Sequence, residues 1–157
     1  MASQEAEKEP LASAAPVIEM DDDSDEMMAR IADAETKLAA LAEQYEALVQ
    51  KDLDALRSHL DQFDTDPGSR AATVESIFTI SHNIKGQGAS FGYEMLTEIG
   101  HSLCNFLRDL DDPSDDHAQI IRHHLSAMTV VVEKNIKGDG GDLGRQVVAK
   151  LQSLVAD

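Results

Sequence analysis

The sequence predicts an all-α protein, an antiparallel four-helix bundle with an extended N-terminal helix and a disordered acidic N-terminal tail. Three observations lead there. Apolar residues recur at steps of three and four over most of the chain, and no segment shows sustained period-two alternation. Aromatic residues make up only 4% and tryptophan is absent, whereas strands draw on aromatic and β-branched side chains. Short breaks rich in Pro, Gly and Asp separate the periodic segments, and long amphipathic helices joined by short connections form an antiparallel bundle.

The elements follow in order. Residues 1–24 contain Pro10, Pro16 and most of the run "EMDDDSDE", too charged and too poor in apolar residues to offset the entropy of ordering. They are expected to be disordered. Residues 25–157 are expected to be helical, with 25–50 as an extension and 51–157 as the core. From Met27 the apolar positions Ile31, Ala34, Leu38, Leu41, Tyr45 and Leu48 alternate steps of four and three. The pattern then shifts to Val49, Leu53, Leu56, Leu60 and Phe63, a stutter that rotates the stripe around the helix. One long bent helix, or two helices meeting near Lys51, would satisfy it. "DTDPGSR" ends this segment at Pro67 and Gly68.

A second helix is predicted from Ala72 to Phe91, closed by Gly92 in the place of a left-handed cap. A third begins near Tyr93 and places Leu96, Ile99, Leu103, Phe106, Leu107 and Leu110 on its apolar face. "DDPSDD" breaks it, with Ser114 as N-cap and two acidic residues at the positive end of the next helix. That fourth helix buries Ala118, Ile121, Leu125, Met128, Val132 and Ile136. "KGDGGD" stops it, and a final helix uses Leu143, Val147, Leu151 and Leu154.

Charge and composition exclude several classes of function. A formal charge of −17 argues against nucleic acid, whose phosphates are bound through lysine and arginine, and against anionic membranes. No apolar run approaches the roughly 20 residues of a membrane span. The N-terminus lacks the basic start and apolar stretch of a secretory signal, and a single cysteine, Cys104, forms no internal disulfide. A cytoplasmic location is the expectation.

The second helix carries the informative residues, within "SHNIKGQGASFG". At about 100° per residue, Val74, Ile77, Phe78, Ser81, Ile84 and Gly88 share one face, which must meet the core. His82 falls about 120° from the middle of that stripe and therefore faces solvent. Lys85 and Gly86 lie beside it one turn along, and Ala89 continues the strip. Glycine in a helix interior costs about 1 kcal/mol relative to alanine. Gly88 repays this where a neighbouring helix can come close. Gly86 is exposed, where packing gives no reason for it, and it clears space around the imidazole. A phosphate-cradling loop does not fit, because G-x-G-x-x-x-G is one residue too long for the dinucleotide fingerprint and no strand precedes it.

His82, Lys85, Gly86 and Gly92, spaced H-x-x-K-G-x-x-x-x-x-G, resemble the signature of histidine-containing phosphotransfer (HPt) domains. The preceding "IFTIS" and the following "YEMLTEIGHSLCNFL" resemble the family's helices, and the likeness extends over roughly residues 40 to 155. It implies an HPt-like bundle in which His82 is phosphorylated by a receiver-domain aspartate and passes the group to another receiver domain. Lys85 would then stabilise the phosphoryl oxygens through charge-assisted hydrogen bonds, and Gly86 would give steric access. Phe78, Asn83, Ala89 and Ser90 would line the docking surface.

The implied partners are response-regulator receiver domains and a hybrid sensor histidine kinase. The chain would have no cofactor of its own, and Mg²⁺ would sit on the partner. It would act as a phosphoryl carrier and not as an enzyme. A sensor-kinase dimerisation domain fits less well, because Asn83 follows the histidine where an acidic residue is usual, and the chain beyond His82 is too short for an ATP-binding domain. An alternative is a helical adaptor that docks a regulator or kinase without being phosphorylated.

The other histidines do not form a metal site by spacing. His123 and His124 project about 100° apart, and His117 and His124 are about 10.5 Å apart along the axis. Cys104, three residues after His101, reads as a small buried side chain. Residues 27–50 carry a seam suited either to a coiled-coil homodimer or to an extra bundle helix.

Overall fold

The computed structural model describes residues 22–156, which form five α-helices and no strand. They are α1 (Asp22–Thr65), α2 (Arg70–Gly88), α3 (Glu94–Arg108), α4 (Asp115–Glu133) and α5 (Gly141–Ala156), with 3-10 turns at Pro67–Ser69 and Ala89–Phe91. The tail expected over residues 1–24 lies outside the described residues except at its end, where Asp22 to Ser24 are already helical. No break occurs near Lys51: α1 is one helix. None of these helices is long and apolar enough to cross a membrane.

Two units divide the chain between Glu43 and Gln44. In the first, the described residues are almost all exposed, including Met27, Ile31, Leu38 and Leu41. The second, from Gln44, holds the core, and it begins before the boundary expected at Lys51 because Tyr45 and Val49 are already buried. The stutter explains this. A four-residue step from Tyr45 to Val49 leads into the buried stripe of Leu53, Leu56, Leu60 and Phe63, and leaves Leu48 exposed.

Within the second unit, paired contacts fix the order of the helices. Tyr45 stacks on Phe91 at 4.3 Å between ring centroids, while Arg70 Nε donates to the Phe63 carbonyl at the opposite end of α1 and α2. Gly88 meets Leu96, Lys85 meets Gly100 and Arg108 covers Phe78, so α2 and α3 run antiparallel. Ser102 bonds His124, and Phe106 meets His117 edge-on, across α3 and α4. Arg57 bonds Thr129, and Arg122 pairs with Asp64, which returns α4 to α1. Four antiparallel helices thus close a ring around Leu53, Ile77, Leu96, Ile99, Leu103 and Met128, each fully buried. Burying side chains of this kind contributes roughly 1.5–3 kcal/mol apiece.

The connections follow local chemistry. Gly92 adopts φ 87°, the left-handed cap expected of it, and its carbonyl accepts from Gly138 N at 2.7 Å. Ser114 is the N-cap of α4, where its backbone N–H donates to His117 Nδ1 at 2.9 Å. Two expectations are corrected. α4 ends at Glu133 instead of reaching Ile136, because Asn135 takes a positive φ of 54° and turns the chain. Leu143 does not join the core: α5 packs beside α3 and α4 through Gly144, Val147 and Leu151, which leaves Leu143 71% exposed.

Candidate functional site

His82 stands on α2 with its side chain exposed, while Ser81 and Ile84 on either side of it are buried. That alternation is the helical rotation read from the sequence. One turn earlier, the half-buried Phe78 lays its ring nearly parallel to the imidazole, 6.1 Å between centroids and 13° between planes. One turn later, Gly86 is open: a Cβ built there meets no atom within 4 Å. The imidazole therefore rests against an aromatic ring on one side and faces clear space on the other.

The helix is held in place from behind. A Cβ on Gly88 would come within 2.9 Å of the Tyr93 carbonyl and 3.0 Å of Leu96 Cβ and Thr97 Oγ1. Gly100 does the same for the other helix, with Lys85 Cβ and the Lys85 backbone N both 3.0 Å from where its Cβ would be. Thr97 Oγ1 donates to the Lys85 carbonyl at 2.9 Å and accepts from Ala89 N–H at 2.8 Å. α2 is thus pressed against α3 through Lys85 and Gly88, to one side of the His82 strip, and the backbone beneath Lys85 is fixed.

Two cations border the site. Lys85 is half-buried through this packing and forms no ion pair among the described residues. Arg108 on α3 places its guanidinium carbon 5.6 Å from the Phe78 centroid and donates only to the Asn105 side-chain oxygen, at 3.0 Å. Arg30, Arg57, Arg70, Arg122 and Arg145 each pair with a carboxylate, whereas Arg108 pairs with none among the described residues. Burial pushes the Cys104 thiol up, and the charges of Lys85 and Arg108 oppose that shift. Lys85 lies one turn from the imidazole and Arg108 over the neighbouring Phe78 ring, neither in an ion pair among the described residues. They put positive charge at this part of a chain of net charge −17, where an anion can be accepted.

A family model for the Hpt domain matches residues 24–133. The chain belongs to the Hpt domain family. The match ends with α4, so it takes in the four helices of the ring and leaves out α5. No curated protein and no solved structure gives a match. Hpt domains serve histidine phosphotransfer in phosphorelays as phosphocarriers, which is the chemistry an exposed histidine on a bundle helix can support.

Among the residues singled out in this Hpt domain, Phe78 and His82 are in ring contact, and Lys85 and Gly86 lie one turn further along the same helix. Asn83 is exposed one position further round the helix. Ala89 and Ser90 are exposed too, but they lie in the 3-10 turn after Gly88, not on a helix continuing to Phe91. No hydrogen bond or ring contact among the described residues joins Asn83, Ala89 or Ser90 to His82. The sequence reading missed Arg108 and Gly100. A second helix-interior glycine and a basic residue in the last turn of α3 were the available signals, but only the antiparallel register of α2 and α3 gives them meaning. His124, whose ring is fully buried between Ser102 Oγ and the Ile120 carbonyl, has a structural role. The described residues contain no group of three or more His, Cys, Asp or Glu able to hold a metal ion.

Proposed function

We propose that His82 is the residue that carries the phosphoryl group, accepting it from the aspartyl phosphate of one receiver domain and passing it to the aspartate of another. The observation that carries this reading is the pairing of an exposed imidazole with an open helical position at Gly86. In the transfer, the lone pair of the unprotonated ring nitrogen attacks phosphorus. A P–N bond forms, the P–O bond to aspartate breaks, and the carboxylate leaves with the electron pair. The proton on the other ring nitrogen stays on the ring or goes to solvent. Onward transfer is the reverse, with the second aspartate as nucleophile.

Little of the catalytic work falls to this chain. Phosphoryl transfer depends on positioning and on stabilising charge that spreads over the equatorial oxygens, with a divalent metal as a usual contributor. Phe78 sets the plane of the imidazole, and the unpaired Lys85 and Arg108 supply positive charge near the transferred group. The receiver domain supplies the aspartate and, with it, the Mg²⁺. A hybrid sensor kinase fits as the upstream donor and a response regulator as the downstream acceptor.

Incubation with a phosphorylated receiver domain should give acid-labile, base-stable phosphate on the wild type and none on His82→Gln. Equal labelling of the two would overturn the assignment. His82→Ala should keep its affinity for the receiver while the relay is lost. A relay that survives this substitution would mean the domain acts as a docking adaptor.

A further inference from the structure

We infer that residues 22–43 of α1 pair with the same segment of a second copy of this chain as a parallel two-stranded coiled coil. The segment has the required surface. Met27 (63% exposed), Ile31 (48%), Leu38 (64%) and Leu41 (49%) lie on one stripe at coiled-coil spacing, and nothing among the described residues covers them. An exposed seam of this regularity is the kind that marks a partner surface. α1 runs unbroken from Asp22 to Thr65.

The partner follows from the register. Steps of four and three put Ile31 and Leu38 at a, and Met27, Ala34 and Leu41 at d. Ile31 at a and Leu41 at d follow the pattern that favours two strands, a β-branched residue at a with leucine at d. Leu38 at a, and Met27 and Ala34 at d, add nothing to that preference. Tyr45 would be the next a position, but it is committed to the core of the second unit, which ends the seam there. Flanking charges choose the orientation. Arg30 and Lys37 fall at g, and Glu35 falls at e. In a parallel pair g faces the e position of the next heptad, so Arg30 meets Glu35 of the other copy, twice by symmetry. In an antiparallel pair g faces g, which sets the cations Arg30 and Lys37 against one another. Within one chain Arg30 and Lys37 are held only by exposed ion pairs to Glu26 and Asp33 on the neighbouring turn. Such pairs are worth little and are readily exchanged. About three heptads span roughly 33 Å, a short seam, so the association is concentration-dependent.

The test uses the full chain. Sedimentation equilibrium at micromolar to hundred-micromolar concentration should show twice the chain mass, and Leu38→Glu should return it to the chain mass at every concentration. Leu38 is a surface residue, and unchanged far-UV circular dichroism together with retained phosphoryl labelling by a receiver domain would show that the bundle is intact. Met27→Cys should crosslink to itself in an oxidised sample, because in a parallel pair the two positions face each other. A wild type that stays at chain mass, or a dimer that survives Leu38→Glu, overturns the seam. A dimer in which Met27→Cys fails to crosslink overturns the parallel arrangement. Dimer formation is read without reference to His82, so the outcome stands apart from that of the phosphotransfer assay.

Discussion

Two glycines two residues apart on one helix have opposite reasons to be there, and each reason can be measured. At Gly88 a methyl group would press on the Tyr93 carbonyl and on the side chains of Leu96 and Thr97. Backbone cannot yield as a flexible side chain can, so Gly88→Ala should destabilise the protein by about 1–3 kcal/mol, as overpacking does, seen as a lower midpoint in urea at unchanged m-value. At Gly86 there is room, so Gly86→Ala should stabilise by roughly 0.5–1 kcal/mol through helix propensity alone. A larger residue there, as in Gly86→Gln, should leave stability intact yet slow transfer from a receiver by about tenfold, a barrier change of ~1.4 kcal/mol. If Gly86→Gln transfers at the wild-type rate, the open position has no part in access. The sequence distinguished these glycines because helical rotation alone separates an exposed position from a buried one. It did not reveal Arg108, whose relation to Phe78 exists only once α2 and α3 are placed side by side.

At the scale of the helices, periodicity located every element, and its failures are physically specific. An apolar stripe tells which residues share a face, but not whether a neighbour reaches that face. Leu143 and Leu151 belong to the same predicted stripe of α5, yet Leu151 is 5% exposed and Leu143 is 71% exposed. The start of α5 is held instead by the close packing of Gly144 and by Arg145, which pairs with Asp139 and Asp142. Leu151→Ala should therefore cost about 2–5 kcal/mol, and Leu143→Ala should change stability by less than about 0.5 kcal/mol. Thermal or urea unfolding of the two variants checks this directly, and similar losses at both positions would mean the face of α5 is misassigned. The same reasoning covers α1. The stutter was legible as a shift of the stripe, but the residue at which the core begins, Tyr45, depends on Phe91 being there to stack against it.

For the molecule as a whole, stability should depend on pH through one buried histidine. His124 is fully buried between α3 and α4, with Ser102 Oγ at 2.9 Å from Nε2 and the Ile120 carbonyl at 2.8 Å from Nδ1. Burial pushes its pKa below the ordinary 6.5; the Ile120 carbonyl partly opposes that shift and the neighbouring His123 adds to it. Below pH 6.5 the unfolded chain takes up a proton that the folded chain refuses, so the unfolded state binds more protons there. The contribution of His124 is accordingly complete above pH 6.5 and is lost as pH falls from 6.5 towards the lowered folded value. Carboxylates act in lower windows and in both directions. Asp139, held low by the Gly141 N–H and by Arg145, adds stability that is lost as pH falls below its ordinary 3.8. Asp52, raised by burial, loses its contribution as pH rises above 3.8. A difference measurement isolates the histidine. Between pH 7.5 and pH 5.5 the unfolding free energy of wild type should fall more than that of His124→Gln, whose amide can still reach Ser102 without taking a proton. The two falls should differ by no more than about 1.4 kcal/mol for each unit by which the folded pKa lies below the unfolded one. Parallel curves for the two proteins would mean that His124 is protonated as readily inside the bundle as outside it, and that the α3–α4 seam admits water where the structure shows none to be needed.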